Sequence, residues 1–311
     1  MFRYCYDYRI FICLMKQLIK LISKTLLVIC LLLLILGFVI TYFFSHKVEK
    51  TVINKIQKQM TSELQIGDVA FSLYEQFPAA SVKITDLLAI EKEGFNHDTL
   101  FYAKTTYIEL SISDIILGKV DIERVVVDNG IINIKYDNDN NPNFTIYKAN
   151  EKSKNKLTLK NLLLIDMQLS FSKKKVDIKW ETQETLLVFS EKNIRINSKL
   201  FSEKLIVKNR DYIHEKKVTI HADLKLKKDS IIIQKGSTIH IEKLKAQLSG
   251  EIVQGKIIDL NFSFKEQELI NIIKHTPQHL KSIYRSFEAK GIVNCNGNIK
   301  GLISTDSNPH L

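Results

Sequence analysis

Two histidines four residues apart, His275 and His279, are the nearest approach to a metal-binding spacing in this chain. One helical turn would carry both imidazoles to a common face, yet Pro277 lies between them and no HExxH glutamate accompanies them. Solvent-facing helix residues are the expected role. The eight histidines are otherwise scattered, and His221 alternates with lysines as an ordinary surface residue would. The segment DNDNNPNFTIYK (137–148) offers oxygen ligands at the first, third and fifth places of a calcium loop, but Pro142 replaces the required glycine and Lys148 the bidentate glutamate. A polar turn is expected there. There is no GxSxG, no glycine-rich phosphate loop and no Cys–His pair with an orienting acid. Of four cysteines only Cys295 follows the first 30 residues, so no internal disulfide can form in the main domain. No catalytic residue, metal or cofactor is assigned, and an enzyme is a distant reading.

The chain carries 45 Lys and Arg against 34 Asp and Glu, and the excess is uneven. Residues 1–50 hold Arg3, Arg9, Lys16, Lys20, Lys24, Lys47 and Lys50 against Asp7 and Glu49. That concentration argues against nucleic acid as a partner, because basic residues gather where a membrane protein puts them. From Thr25 to Ser45 no residue is charged, and the run LLVICLLLLILGFVITYFF fills it. At 1.5 Å rise per residue, about 20 residues cross the ~30 Å hydrocarbon layer. A membrane anchor is therefore expected at 25–45, closed by the interfacial aromatics Tyr42, Phe43 and Phe44. The run is too long for a signal-peptide core, and TYFFSHK offers no small-x-small cleavage site. The basic tail 1–24 keeps the N-terminus cytoplasmic and exports the remainder, in a bacterium to the periplasm.

Residues 46–63 place Val48, Val52, Ile56 and Met60 at four-residue spacing, which predicts an amphipathic helix. Beyond them a period of two takes over. In KKVTIHADLKLKKD, Val218, Ile220, Ala222, Leu224 and Leu226 face one way while Lys217, Thr219, His221, Asp223, Lys225 and Lys227 face the other. The same alternation runs through Ile108, Leu110 and Ile112; Ile132, Ile134 and Tyr136; Met167, Leu169 and Phe171; Ile239 and Ile241; and Ile258, Leu260, Phe262 and Phe264. A mainly β domain over 64–311 is predicted, with a weak boundary near 149–156. Turns fall at 137–142, 173–175 and 250–255, while Asp128-Asn129-Gly130 is either a turn or a bulge within one long strand. Leu269, Ile272, Ile273, Leu280 and Ile283 predict a short helix near 266–287, broken at Pro277.

A strand with five oily side chains on one face cannot leave them in water, since each contributes roughly 1.5–3 kcal/mol on burial. Three covers are open: a second sheet, closure of the sheet on itself, or a ligand made of acyl chains.

The stretch LQIGDVAFSLYEQFPAASVKITDLLAIEKEG, followed by TLFYAKTTYIELSISDIILGKVDIERVVVDNGIINIKYDNDNNPNFTIYK, resembles the N-terminal region of AsmA-like proteins. The landmarks are the anchor, a Phe77-Pro78 pair, a strand over 81–90, and the run from Ala103 to Asn143. The helix over 269–287 followed by AKGIVNCNGNIKG is similar to a recurring element of that family. The likeness covers 26–148 well and 257–304 loosely, while 150–255 agrees in strand character. Family members are usually much longer, so the resemblance is to an N-terminal portion. It implies a Gram-negative envelope protein, anchored in the inner membrane, whose long, bent antiparallel sheet forms a groove as in TamB and chorein-like bridges. Phospholipid or another envelope lipid would be its cargo, and outer-membrane assembly proteins possible partners; no catalytic residues come with it. The expected groove positions are Val218, Ile220, Leu224, Leu226, Leu260, Phe262 and Phe264. A non-catalytic assembly factor for outer-membrane proteins is the rival expectation, and a lipopolysaccharide-export bridge a weaker third.

Overall fold

The computed structural model describes Lys24, Leu27, Val28 and Leu31, and residues 64–72, 79–111, 122–144, 159–254, 257–277 and 290–302. The expected helix at 46–63, the Phe77-Pro78 pair, Ile112, the 149–156 boundary, His279, Leu280 and Ile283 lie outside the described residues. So does nearly all of the expected anchor; Lys24, Leu27, Val28 and Leu31 are helical and exposed. Among the described residues no helix is long and apolar enough to cross a membrane.

The chain is mainly β, and its described strands form one large, bent, open sheet of 14 strands. The first two short strands, β1 (Leu64–Gln65) and β2 (Val69–Ser72), pair end to end along β3 (Ala80–Ile90). Next across the sheet come β4 (Thr99–Leu110), β5 (Ile122–Lys135), β6 (Leu159–Lys173), β7 (Val176–Ser190) and β8 (Asn193–Val207). A short β9 (Arg210–Asp211) folds back on β8. Then follow β10 (Lys216–Leu226), β11 (Ser230–Ile241), β12 (Leu244–Val253), β13 (Ile257–Glu268) and the edge strand β14 (Ile292–Leu302). Among the described residues after Leu31, one helix, α1 (Leu269–His275), interrupts the series and packs on β12 and β13. It begins at Leu269 and not near 266, because Glu266 to Glu268 belong to β13, and the part expected beyond Pro277 lies outside the described residues.

The expectation of a wholly antiparallel sheet needs one correction: β5 and β6 are parallel. The link between them must bring the chain back along the length of β5, and its first part, Tyr136–Phe144, folds over the end of that strand. Tyr136 forms an isolated bridge with Pro142 and is not a strand residue. A second correction concerns Gly250, placed in a turn by its glycine alone. It lies inside β12, where a Cβ would come 2.1 Å from the Asp259 carbonyl oxygen.

What bends the sheet is a row of unpaired positions in register across five strands. Asp86, Lys104, Asn129, Asp166 and Gln183 are each skipped by the ladders on either side. Asp86, Asn129 and Asp166 adopt positive φ (49°, 55° and 47°), a conformation that Asp and Asn enter most readily among residues with a side chain. At Gln183 the interruption is a bulge against β8, which kinks its strand and increases local twist; at the other four, one unpaired residue faces another and the ladder resumes in register. Five interruptions in line act as a crease. Asp128-Asn129-Gly130 thus lies inside one long strand and is not a turn, and Gly130 is needed beside the unpaired Asn129 because a Cβ would sit 2.0 Å from the Tyr102 carbonyl oxygen.

Each interruption also resets the alternation, so Ile84 and Leu87, Val127 and Gly130, and Leu164 and Met167 share one face. That face holds the buried core, with Val82, Ile84, Leu110 and Met167 almost wholly excluded from solvent. A β-branched residue at exposed Asp166 would have to enter the left-handed region without an Asp side chain's local hydrogen bonding. Asp166→Ile is expected to cost about 1–2 kcal/mol and Asp166→Gly almost nothing, as measured by urea denaturation.

Candidate functional site

Strand register decides whether the apolar positions read from the sequence meet. Ile220 of β10 pairs with Ile239, Ile239 with Ala246, Ala246 with Phe264, and Phe264 with Cys295. A second row runs Leu224, Ile233, Gly250, Leu260, Ile299. A third joins Ser237, Leu248, Phe262 and Gly297, with the Phe262 ring lying over Gly297. Val218 lies opposite Ile241, and Leu226 opposite Ile231.

Because directly paired residues in a ladder share a face, Val218, Ile220, Leu224, Leu226, Leu260, Phe262 and Phe264 all stand on one side of the sheet. The rows stay aligned across a bulge at 234–236 because β11 gains two residues there, an even number. The Phe262 and Phe264 rings meet edge to face at 5.8 Å.

This face is treated differently along the sheet. Between β2 and β6 it is a closed core, whereas from β10 to β14 it is mostly half-buried. Val218 is buried, Leu226 is 36% exposed, and the other five named positions are intermediate. Every substantial contact among the described elements joins sheet neighbours or joins α1 to β12 and β13. No second sheet is packed over these strands among the described residues. Among the described residues neither a second sheet nor closure of the sheet covers them, and β14 stands last in the strand order.

The opposite face is polar. Asn197, His221, Thr238, Gln247 and Ser263 follow one another across it, and His221 Nδ1 lies 2.9 Å from Asn197 Oδ1. Two shallow hollows of about 500 and 570 Å³ run along β11–β14, lined mainly by side chains of this polar side, Gln247, Ser249, Asn261 and Ser263 among them. Among the described residues the apolar side is an open surface.

No family model matches the chain, and no curated protein does. What the two faces can do rests on their own residues. The calcium-like segment is a turn, with the Asn141 backbone and side-chain amides both donating to the Asp137 carboxylate. These contacts hold that carboxyl below its usual pKa. Among the described residues no group of three His, Cys, Asp or Glu side chains could hold a metal ion.

His275 differs from the expected solvent-facing residue: it is half-buried, and burial lowers its pKa, reinforced by Lys216. His240 is depressed by burial, by Lys245 and by His221, whose ring is 6.4 Å away. For both, the unfolded state takes up a proton before the folded state does. Stability is thus present above the ordinary histidine pKa of about 6.5 and lost as pH falls through and below it. The melting temperature is expected to fall between pH 7.5 and pH 5, with a shallower fall in the His240→Gln/His275→Gln double variant.

The sequence reading missed a buried polar cluster where the chain leaves β5. Asn143 is fully buried; its amide donates to Glu91 Oε1 (2.8 Å) and to the Asn133 carbonyl (2.9 Å), and its Oδ1 accepts from the Lys135 amide (2.9 Å). Lys135 Nζ reaches Asp98 (2.8 Å) and Glu91 (3.0 Å), and those carboxylates, Asp98 first, raise its pKa. In the sequence Asn143 stands out only as the last landmark of the resemblance. A lone Asn in a polar turn gives no sign of burial.

Proposed function

We propose that this chain is an AsmA-like envelope protein, tethered by the 25–45 segment, whose bent sheet is a trough that binds or conducts lipid acyl chains between membranes. The observation that carries this reading is the half-exposed apolar face of β10–β14, spread over adjacent strands with no second layer of described protein upon it. Apolar surface of that extent marks a place where something apolar lies. An acyl chain fits an open strip better than a folded partner does, because it needs no matching relief. The polar reverse face and the Lys-rich strand surface suit an aqueous compartment such as the periplasm.

The reading is tested by extracting lipid from the purified full-length protein and measuring it by mass spectrometry. Stoichiometric phospholipid is expected, and protein free of acyl chains after mild purification would overturn the reading. One observation favours the rival role in outer-membrane protein assembly. The edge strand β14 has no partner on its outer side among the described strands, and its Ile292 is 70% exposed. Strand addition uses such edges. Photocrosslinkers placed on β14 would capture β-barrel proteins under that role and lipid under the first.

A further inference from the structure

Where β10 begins, the apolar face ends in a cavity of about 200 Å³, bounded by the stretch before Lys216 and the last turn of α1. Lys216 stands two residues before Val218 and shares its face, so an oily row continues into a cation. Lys274 and His275 enter from α1, Asp211 from the end of β9 and Glu215 from the loop that follows it. Neither Lys216 nor Lys274 has an ion-pair partner among the described residues. Two lining residues hold polar atoms shut off from water and without a hydrogen-bond partner, Asp211 Oδ1 and His275 Nδ1. Such atoms are costly unless something pairs with them. The second Asp211 oxygen has His214 Nδ1 at 3.0 Å.

We propose that this cavity binds the headgroup of a zwitterionic phospholipid, one carrying a phosphate and an ammonium group, whose chains run along the apolar face; this rests on the lipid reading above. The phosphate accepts from the Lys216 and Lys274 ammonium groups. The ligand's ammonium donates to the orphaned Asp211 oxygen, with Glu215 as a second acceptor, and His275 Nδ1 gains its missing partner. Balanced cations and anions within one small space select a headgroup bearing both signs over a purely anionic one. The volume is several times the roughly 30 Å³ of one water, enough for such a group.

The test uses the full-length protein in amphipol with short-chain probes. Dihexanoylphosphatidylethanolamine is expected to bind at least tenfold more tightly than dihexanoylglycerol, which lacks the phosphate. Lys216→Gln/Lys274→Gln should erase that gain, Lys216→Arg/Lys274→Arg should keep most of it, and Lys225→Gln at the far end of β10 should leave it intact. Asp211→Asn should weaken the ethanolamine lipid severalfold and leave dihexanoylphosphatidylglycerol unchanged. Equal binding of the two first probes, or a gain that survives the double glutamine variant, overturns the headgroup site. Glycerophosphoethanolamine binding as tightly as the intact lipid overturns it in favour of a free phosphate ester. Failure of dihexanoylglycerol to bind at all counts instead against the trough.

Discussion

Replacing Asn143 by alanine is expected to cost the fold about 3–5 kcal/mol, and replacing it by aspartate still more. The side chain is wholly buried and makes three hydrogen bonds, each to a group that has little access to water. Alanine leaves the Asn133 carbonyl and the Lys135 amide without these partners, and takes from Glu91 a donor at 2.8 Å. The Glu91 side chain has no solvent exposure, so a lost donor is not replaced by water. Aspartate keeps the acceptor for Lys135 but sets a second carboxylate against Glu91, with only Lys135 Nζ to balance both. Urea denaturation of full-length variants measures the effect. Losses below about 1 kcal/mol for both substitutions would show that the cluster relaxes around the change and is no clamp. The position matters because Asn143 also continues the ladder through its backbone, donating to the Lys135 carbonyl and accepting from Lys92. It closes the end of β5 at the start of the parallel crossover.

That crossover marks where sequence reading ends. The alternation of Val218 to Leu226 and of Ile258 to Phe264 was legible because neither run contains an inserted residue on its apolar side. β6 was legible only from Met167 onward, since Asp166 shifts the pattern by one and NLLLID reads as an unpatterned apolar run. In β7 the register shifts around Lys179 and again between Thr182 and Glu184, and neither β7 nor β8 was recognisable as a separate strand. Bulges are set by which strands lie alongside, and a local window does not contain that. The parallel pairing was hidden for the same reason: antiparallel hairpins announce themselves in a turn, as at Lys174-Lys175, whereas β5 and β6 meet across a long connection. Membership of the apolar face could be read residue by residue, but what lies over it could not, because cover is a property of the assembled sheet.

Charging that face is expected to remove bound lipid while leaving the protein folded. Leu224 and Leu260 belong to one transverse row, joined through Ile233 and Gly250. Both are only half-buried, so a glutamate at either can turn its carboxylate to water when the face is bare. The stability cost of Leu224→Glu/Leu260→Glu should then stay near 1–2 kcal/mol, well under that of charging a closed core position such as Ile84. An acyl chain laid over the row would bury both carboxylates without a partner, at several kcal/mol. Since about 1.4 kcal/mol is a factor of ten in affinity, the affinity for lipid should fall at least a hundredfold, and lipid recovered per mole of protein should drop well below stoichiometric. Lys225→Glu and Asn261→Glu make the matching control: they add acids on the same strands, one residue away and on the polar side. If the two sets of variants retain equal lipid, the apolar face of β10–β14 is not where the chains lie. Should the double variant lose its lipid and also its cooperative unfolding, the face is structural core, which its half-exposure argues against.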